Sequence, residues 1–464
     1  MKIDNTELFT LTPVPRAVLA LVIPTVISQL ITVAYNMADT FFIGQLGDSN
    51  QVAAASLALP LFLLTTGMAN LFGIGGASLI SRCLGSGDGE KARKTSAFCI
   101  WSAGLAAFLY GLIIMLFMPY ILPTVGTDSN TFGFCYQYLF WTITIGAVPT
   151  VINATLSHLI RAEGYSTQAS LGVALGGGLN IILDPVFIFA FKMEIEGAAV
   201  ATMLSNLIAM LYFIALILKK RKMLHITFDP RYYTLSSHIP AEVLLVGLPS
   251  CAMNLMSVFS NIIMNRLMVS YCNEAVAGIG IAKKIDMLAF ALANGLSQGV
   301  LPLIGYNYSA KNFKRMRSAI KVTLILCLSV TLLAAALLFT CANPIVKAFI
   351  DDVETIRYGS VFQRIICITG PFTAITMVII TIFQSVGQKL KPLILSMLRK
   401  GGLDVPFMLL MNALAGVNGI AWATPMADCC AMLTGIILFV PFWKKLRLAE
   451  NEFSSDDCLQ SEKT

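Results

Sequence analysis

Apolar positions in this chain come in long blocks rather than in the narrow stripes of a water-soluble helix, and short polar stretches separate them. Blocks long enough to cross a bilayer fall at about 16–42, 52–80, 95–118, 134–159, 167–191, 196–218, 240–269, 275–305, 317–341, 357–384, 392–413 and 418–443. A bilayer core needs roughly 20 apolar residues per helix, so the pattern predicts twelve transmembrane helices and an all-α integral membrane protein. Several blocks are longer than that, which implies tilt or extension beyond the membrane. The first block begins near Val14, contains Pro15 and Pro24 and runs a full span, so it is expected to stay in the membrane rather than to be cleaved as a leader.

The polar stretches carry a second pattern. Lys and Arg gather at alternate connections: Lys91, Arg93 and Lys94; Arg161; Lys219, Lys220, Arg221 and Lys222; Lys311, Lys314, Arg315 and Arg317; Lys389 and Lys391; Lys444, Lys445 and Arg447. The intervening connections hold few, such as Lys192, Lys347 and Arg357. Because basic loops stay on the cytoplasmic side, both termini are expected there, in the plasma (inner) membrane. Composition agrees: 57% of residues are hydrophobic and 12% charged, with a mean hydropathy of +0.77. The net charge of +7 sits in loops, where it reports topology and lipid contact rather than a nucleic-acid partner. The 11 cysteines show no paired spacing and mostly fall inside apolar blocks, so they read as small hydrophobes. His158, His225 and His238 are dispersed without metal-ligand spacing.

The longest polar connection, residues 219–240, lies near the middle, and the chain on either side of it matches. Ile23 and Pro24 resemble Leu248 and Pro249, Ala69 and Asn70 resemble Ala293 and Asn294, and Pro149 corresponds to Pro371. The clearest match lays GAAVATMLSNLIAML from Gly197 over GIAWATPMADCCAML from Gly419. A duplicated six-helix unit is predicted, with lobes at 1–218 and 241–443, a cytoplasmic linker at 219–240 and a cytoplasmic tail at 444–464. Six is even, so both copies insert with the same orientation; such parallel repeats pack around an axis along the membrane normal, with a central cleft between two pseudo-symmetric bundles.

Within this apolar background a few polar side chains stand out. Asp184 sits among Ile181, Ile182, Leu183, Val186, Phe187 and Ile188, and Asn180 precedes it by four residues, which puts both on one helix face. Pro185 cannot donate a backbone hydrogen bond, so a carbonyl near Ile181 is freed to face a ligand or water. A charged Asp at mid-membrane costs roughly 2.5–3.5 kcal/mol on insertion scales and marks a functional site by default. In the first helix Asp39 follows Tyr35 by one turn and Asn36 by three residues, and Pro24 lies about four turns earlier, where it can hinge the helix. Asp39 is also near the expected outer end, so interfacial exposure is its alternative. In the repeat alignment Asp39 falls on Met264 and Asp184 on Val405, so the two carboxylates are expected in the first lobe alone.

The patterns IPTVISQLITVAYNMADTFFIG, LGSGDGEKAR, LIRAEG, LNIILDPVFIF, GAAVAT and GLSQGVLPLIGYNY, in this order, resemble the multidrug and toxic compound extrusion (MATE) family. The resemblance implies two six-helix lobes, a cleft that opens to alternate sides, and antiport of cationic or amphiphilic drugs against H+ or Na+. It further implies a cation or proton site at Asp39, Asn180, Asp184 and Thr202, as in the branch whose site lies in the N-terminal lobe. Another branch places acids in the seventh and tenth helices; VGLPSCAMNLMSVFSNIIMNRL and VFQRIICITGPFTAITMVIITIF contain none. Tyr35, Asn36, Asn153, Met256 and Asp286 are candidates for the substrate cleft. The physics fits either ion, because two carboxylates, an amide oxygen and a hydroxyl make a hard oxygen cage as readily as a proton carrier. No other cofactor is expected, the chain is expected to act as a monomer among lipids, and no catalytic residue is assigned.

Other polar residues read less sharply. Lys283 or Lys284 pairs with Asp286 or lines the cleft; Asp404 and Asp428, placed near the ends of the last two helices, are expected at the interface; Asp351 and Asp352 read as a solvated turn. Two alternatives follow from different chemistry. A lipid-linked precursor flippase needs a cationic cavity, for which Lys283, Lys284, Arg266 and Arg364 are the material, and a membrane-embedded transferase needs a metal motif or an activated nucleophile, for which no segment offers one.

Overall fold

In the computed structural model, which describes residues 5–235 and 238–461, the chain is built from helices, and no strand occurs among the described residues. Helix α1 spans Val14–Gly44, α2 Ser49–Gly85 and α3 Gly89–Val125. Helix α4 runs from Phe132 to Ala162 with a 50° bend at Gly146, α5 covers Ser166–Ala190, and α6 Glu194–Lys219. After the linker come α7 (Ile239–Val269), α8 (Asn273–Ser309), α9 (Phe313–Thr340) and α10 (Val353–Ser385). The final helical run, Leu390–Glu452, is long enough for two crossings and changes direction at Gly416 (φ 58°, ψ −141°), giving α11 (390–415) and α12 (417–452). The sequence leaves a loop at this point, but a single residue in a conformation that favours glycine makes the turn.

The duplication is visible in element lengths. Both α1 and α7 have 31 residues, and both α2 and α8 have 37. Helix α3 is capped by Asp88, which accepts the Lys91 N–H at 2.9 Å, and its counterpart α9 by Asn312, which accepts the Arg315 N–H at 3.1 Å. Asp352, expected in a solvated turn, does the same for α10 by accepting the Thr355 N–H at 2.8 Å, and hydrogen bonding from the Thr355 side chain and then from its backbone holds the carboxyl below the usual range.

By packing, the chain divides into two compact units. One contains the chain up to Val26, Ser81–Gly87 and everything from Met256 onward; the other contains Ile27–Ile80 and Asp88–Leu255. Helices α1 and α7 therefore each contribute to both units, and each changes unit a short way past its internal proline, Pro24 or Pro249. In the second of these units the first half of α7 lies against α2 so closely that a Cβ on Gly247 would stand 1.9 Å from the Leu71 carbonyl oxygen. Only a residue without a side chain allows that approach. In the other unit α8 and α10 are the central helices, whereas α9 buries little and turns Ile325, Leu333 and Leu337 outward. An apolar outer face on a helix of this hydropathy is a lipid face.

Two of the sequence-defined connections are more ordered than their composition suggests. The linker lies along α3: Trp101 Nε1 donates to the Phe228 carbonyl at 3.1 Å, and Ser96 Oγ accepts the Thr227 N–H at 3.1 Å. Ser236 and Ser237 of the linker lie outside the described residues. The tail region continues α12 as helix through Ser461, with Glu450 paired to Arg317 of α9; residues 462–464 lie outside the described residues.

Candidate functional site

The polar side chains singled out in α5 and α6 meet inside the unit formed by 27–80 and 88–255. Asn180 and Asp184 are one turn apart and both buried, and Thr202 of α6 is 7% exposed. Asn180 Nδ2 donates to Asp184 Oδ1 at 3.1 Å and to Thr202 Oγ1 at 3.3 Å. Directly after Asp184, Pro185 closes the α-helical part of α5 and the chain enters a wide π turn, Val186–Ala190. Such turns re-aim side chains at functional positions. From α1 Asp39 contributes a half-buried carboxylate near enough to act electrostatically on Asp184, Tyr35 and Tyr138.

Hydrogen bonding inside this cluster is incomplete. Asp39 Oδ1, Asn180 Oδ1 and Asp184 Oδ2 are buried acceptor atoms with no donor. A buried acceptor without a donor costs about 1–3 kcal/mol. Among the described residues neither carboxylate forms an ion pair with a Lys, Arg or His. Three hard oxygen acceptors and an uncompensated negative charge suit a proton or a small cation, the latter through oxygen ligands.

The other expected residues divide. Tyr35 packs on α5, where a Cβ on Gly177 would come within 3.0 Å of its ring. Asn36 spends its amide on its own helix, donating to the Thr32 carbonyl at 2.7 Å. Asn153 reaches the site through a residue not picked out from the sequence: its Nδ2 donates to Asn206 Oδ1 at 3.0 Å, and Asn206 Nδ2 donates to the Thr202 carbonyl at 2.8 Å. The four-residue step from Thr202 to Asn206 is the signal that could have found it. Met256 and Asp286 belong to the other unit.

That unit corrects two expectations. Asp404 and Asp428, expected at the interface, are fully buried. Asp404 Oδ1 accepts from Thr424 Oγ1 at 3.2 Å, and its Oδ2 accepts from Ser260 Oγ. Asp428 Oδ1 accepts from Arg399 Nε at 2.8 Å and its Oδ2 from Thr373 Oγ1 at 2.8 Å, while Arg399 Nη2 donates to Thr373 Oγ1 at 3.0 Å. The second half therefore has membrane carboxylates too. The repeat comparison sets Val405 against Asp184, but it is the neighbouring Asp404, just after a break in the helix at Lys400 and Gly401, that bonds Thr424, the counterpart of Thr202. Asp428 lies well inside both its apolar block and α12, and it is buried there by its pairing with Arg399 and Thr373 rather than exposed at a helix end. Arg266, Lys284 and Arg364 are exposed, so of the basic residues considered for a cationic cavity only Lys283 is half-buried.

Comparison with known proteins adds three findings. The family model MatE matches residues 24–186 and again 249–410, two copies whose starts differ by 225 residues and whose ends differ by 224. Two relatives are the Multidrug export protein MepA of Staphylococcus aureus (strain MSSA476), 28% identical over 95% of this chain and 97% of that protein, and MepA of Staphylococcus saprophyticus, 29% identical over the same shares. A structure described as the outward-facing conformation of a multidrug resistance MATE family transporter of the MOP superfamily superimposes with a TM-score of 0.87, covering 97% of this chain and all of the other at 23% identity, which establishes a common fold.

Proposed function

Because the chain belongs to the MatE family, we propose that it is a multidrug exporter that expels cationic and amphiphilic small molecules in exchange for H+ or Na+. The MepA relatives support the drug substrates. The observation that carries the ion exchange is the set of donorless buried oxygens on Asp39, Asn180 and Asp184. In this reading the coupling ion is cargo: it occupies the Asp39, Asn180, Asp184 and Thr202 cluster as it enters, and its binding and drug binding are alternatives. Inward movement of one charge releases roughly 2.3 kcal/mol per 100 mV, which a monovalent drug cation leaving in exchange consumes. A one-for-one exchange is therefore driven by the concentration gradient of the ion, and the potential adds to it when more than one ion enters per drug.

The remaining parts of the proposal follow from this cycle. The halves 1–218 and 241–443 act as lobes joined by the linker, both termini lie in the cytoplasm, and the protein works as a monomer in the plasma membrane without altering its substrate chemically. Pro24 lies two residues before the point at which α1 passes from one packing unit to the other, which supports its role as the hinge that relays ion occupancy. Pro24→Ala is expected to weaken coupling, and a variant with unchanged coupling removes the hinge from the account.

The function is tested with purified protein in proteoliposomes by following uptake of a fluorescent organic cation under an imposed pH gradient and, separately, a Na+ gradient. Uptake under one gradient by the wild type, and its loss in Asp184→Asn, is the expected result. Uptake that survives in Asp184→Asn rejects the site, and no uptake under either gradient rejects the exchange.

A further inference from the structure

In the unit that holds α8 to α12, six side chains satisfy one another: Arg399, Asp428 and Thr373 in one group, Asp404, Ser260 and Thr424 in the other. Three charged residues beside them do not. Lys283, Asp286 and Lys400 are half-buried, and among the described residues none of them makes a salt bridge or a side-chain hydrogen bond. Charges left unpaired at mid-helix positions of membrane segments are expensive and therefore functional by default.

Their placement brings them together. Lys283, Asp286 and Phe290 are spaced three and four residues apart, so they share one face of α8. Phe290 identifies what that face meets, because the Arg399 guanidinium carbon lies 5.3 Å from its ring centroid. Arg399 immediately precedes the break in α11, where Lys400 is extended (φ −124°, ψ 118°) and Gly401 is left-handed (φ 90°). Lys283 is also within electrostatic range of Lys400, Asp404 and Asp286. Non-helical backbone at membrane depth is tolerated where it is buried in protein or lines a watered cavity, and broken helices are where transporters seat their substrates.

We propose that Lys283 and Lys400, with Asp286, form a subsite for zwitterionic substrates, in which the two ammonium groups take a carboxylate or similar anionic group and Asp286 takes the cationic end. This deepens the export reading and rests on it for the direction of transport, but binding at the subsite is separable from ion coupling. The Asp404 carboxylate is also within range, but both of its oxygens accept from the Thr424 and Ser260 hydroxyls. Among the described residues neither ammonium group therefore has an anion hydrogen-bonded to it, and a substrate carboxylate supplies one. The charge of Arg399 is already committed to Asp428, so it orients the α11 break rather than binding substrate.

The test uses rhodamine 110, a zwitterion with a free carboxylate, and rhodamine 123, its methyl ester and a plain cation. Binding of each to purified protein is read by fluorescence anisotropy, with thermal unfolding as the check that each variant is folded. In Lys283→Gln and Lys400→Gln, affinity for rhodamine 110 is expected to fall about tenfold, the scale of one charged hydrogen bond, while rhodamine 123 changes by less than about twofold. Lys400→Arg is expected to keep rhodamine 110 binding, and Asp286→Asn to weaken both dyes. Wild type that does not bind rhodamine 110, or Lys variants that weaken both dyes equally or neither, overturns the subsite. Lys variants that lose rhodamine 110 selectively as predicted, in a protein whose wild type takes up neither dye under any ion gradient, refute the export reading and leave the subsite standing.

Discussion

The two halves of this protein carry polar clusters at matching places, but their charges are balanced differently. In the first, Thr202 and Asn206 lie beside Asp184 and Asn180, and the Asn206 side chain pairs with Asn153. In the second, Thr424 and Asp428 occupy the aligned positions, Thr424 bonds Asp404, and Asp428 pairs with Thr373 and Arg399. All four carboxylate oxygens of Asp404 and Asp428 have a donor, whereas the first cluster leaves an oxygen on each of Asp39, Asn180 and Asp184 without one. One tethered cation, Arg399, and three hydroxyls thus do permanently in one half what an exchangeable ion is proposed to do in the other. Burial of acid alone does not mark an ion pathway; a buried carboxylate oxygen left without a donor does.

The largest break in the comparison comes from Asp184→Asn, expected to reduce gradient-driven uptake to background while leaving the unfolding temperature of the ion-free protein unchanged or raised, because it removes an uncompensated buried charge. Arg399→Leu should act in the opposite way. Removing one partner of a buried pair costs about 3–5 kcal/mol of stability, and Arg399→Leu combined with Asp428→Leu should recover most of it, as read from thermal unfolding in detergent. If the double variant is no more stable than Arg399→Leu, the pair is not the closed unit described.

A smaller effect sharpens the first half. Saturating coupling ion should stabilise wild type by about 2.7 kcal/mol at a hundred times its dissociation constant, and should leave Asp184→Asn unaffected; equal stabilisation of both would place the ion elsewhere. The smallest effect concerns the geometry that orients Arg399. Gly401 has φ 90°, and a Cβ there would sit 2.8 Å from Met256 Sδ, so Gly401→Ala should cost about 1–2 kcal/mol for the left-handed backbone and lower the unfolding temperature without altering ion dependence.

Much of this was legible in the sequence because a membrane leaves few choices. Long apolar blocks can only be helices, so the spans, the duplication and the outlying Asp184 with Asn180 one turn before it could be read directly. The second cluster was hidden by a helix break and by partners that composition does not carry. Asp404 follows a break at Lys400 and Gly401 that the repeat comparison does not register, so Val405 rather than Asp404 falls against Asp184. Asp428 stands well inside its apolar block, and only its partners, Arg399 and Thr373, account for its burial. The pairing of Arg399 with Asp428 joins residues 29 positions apart across two helices, and no spacing rule reaches that far. Asn206 was reachable, since it stands one turn beyond Thr202, but an Asn in a transmembrane helix draws less notice than an Asp.

The most direct test of the contrast is proton release from purified protein in weakly buffered detergent when rhodamine 123 or Na+ is added. Wild type and the Arg399→Leu, Asp428→Leu double variant are predicted to release protons alike, and Asp184→Asn to release none. Release that persists in Asp184→Asn but disappears in the double variant would contradict the account and place the exchangeable ion in the second half.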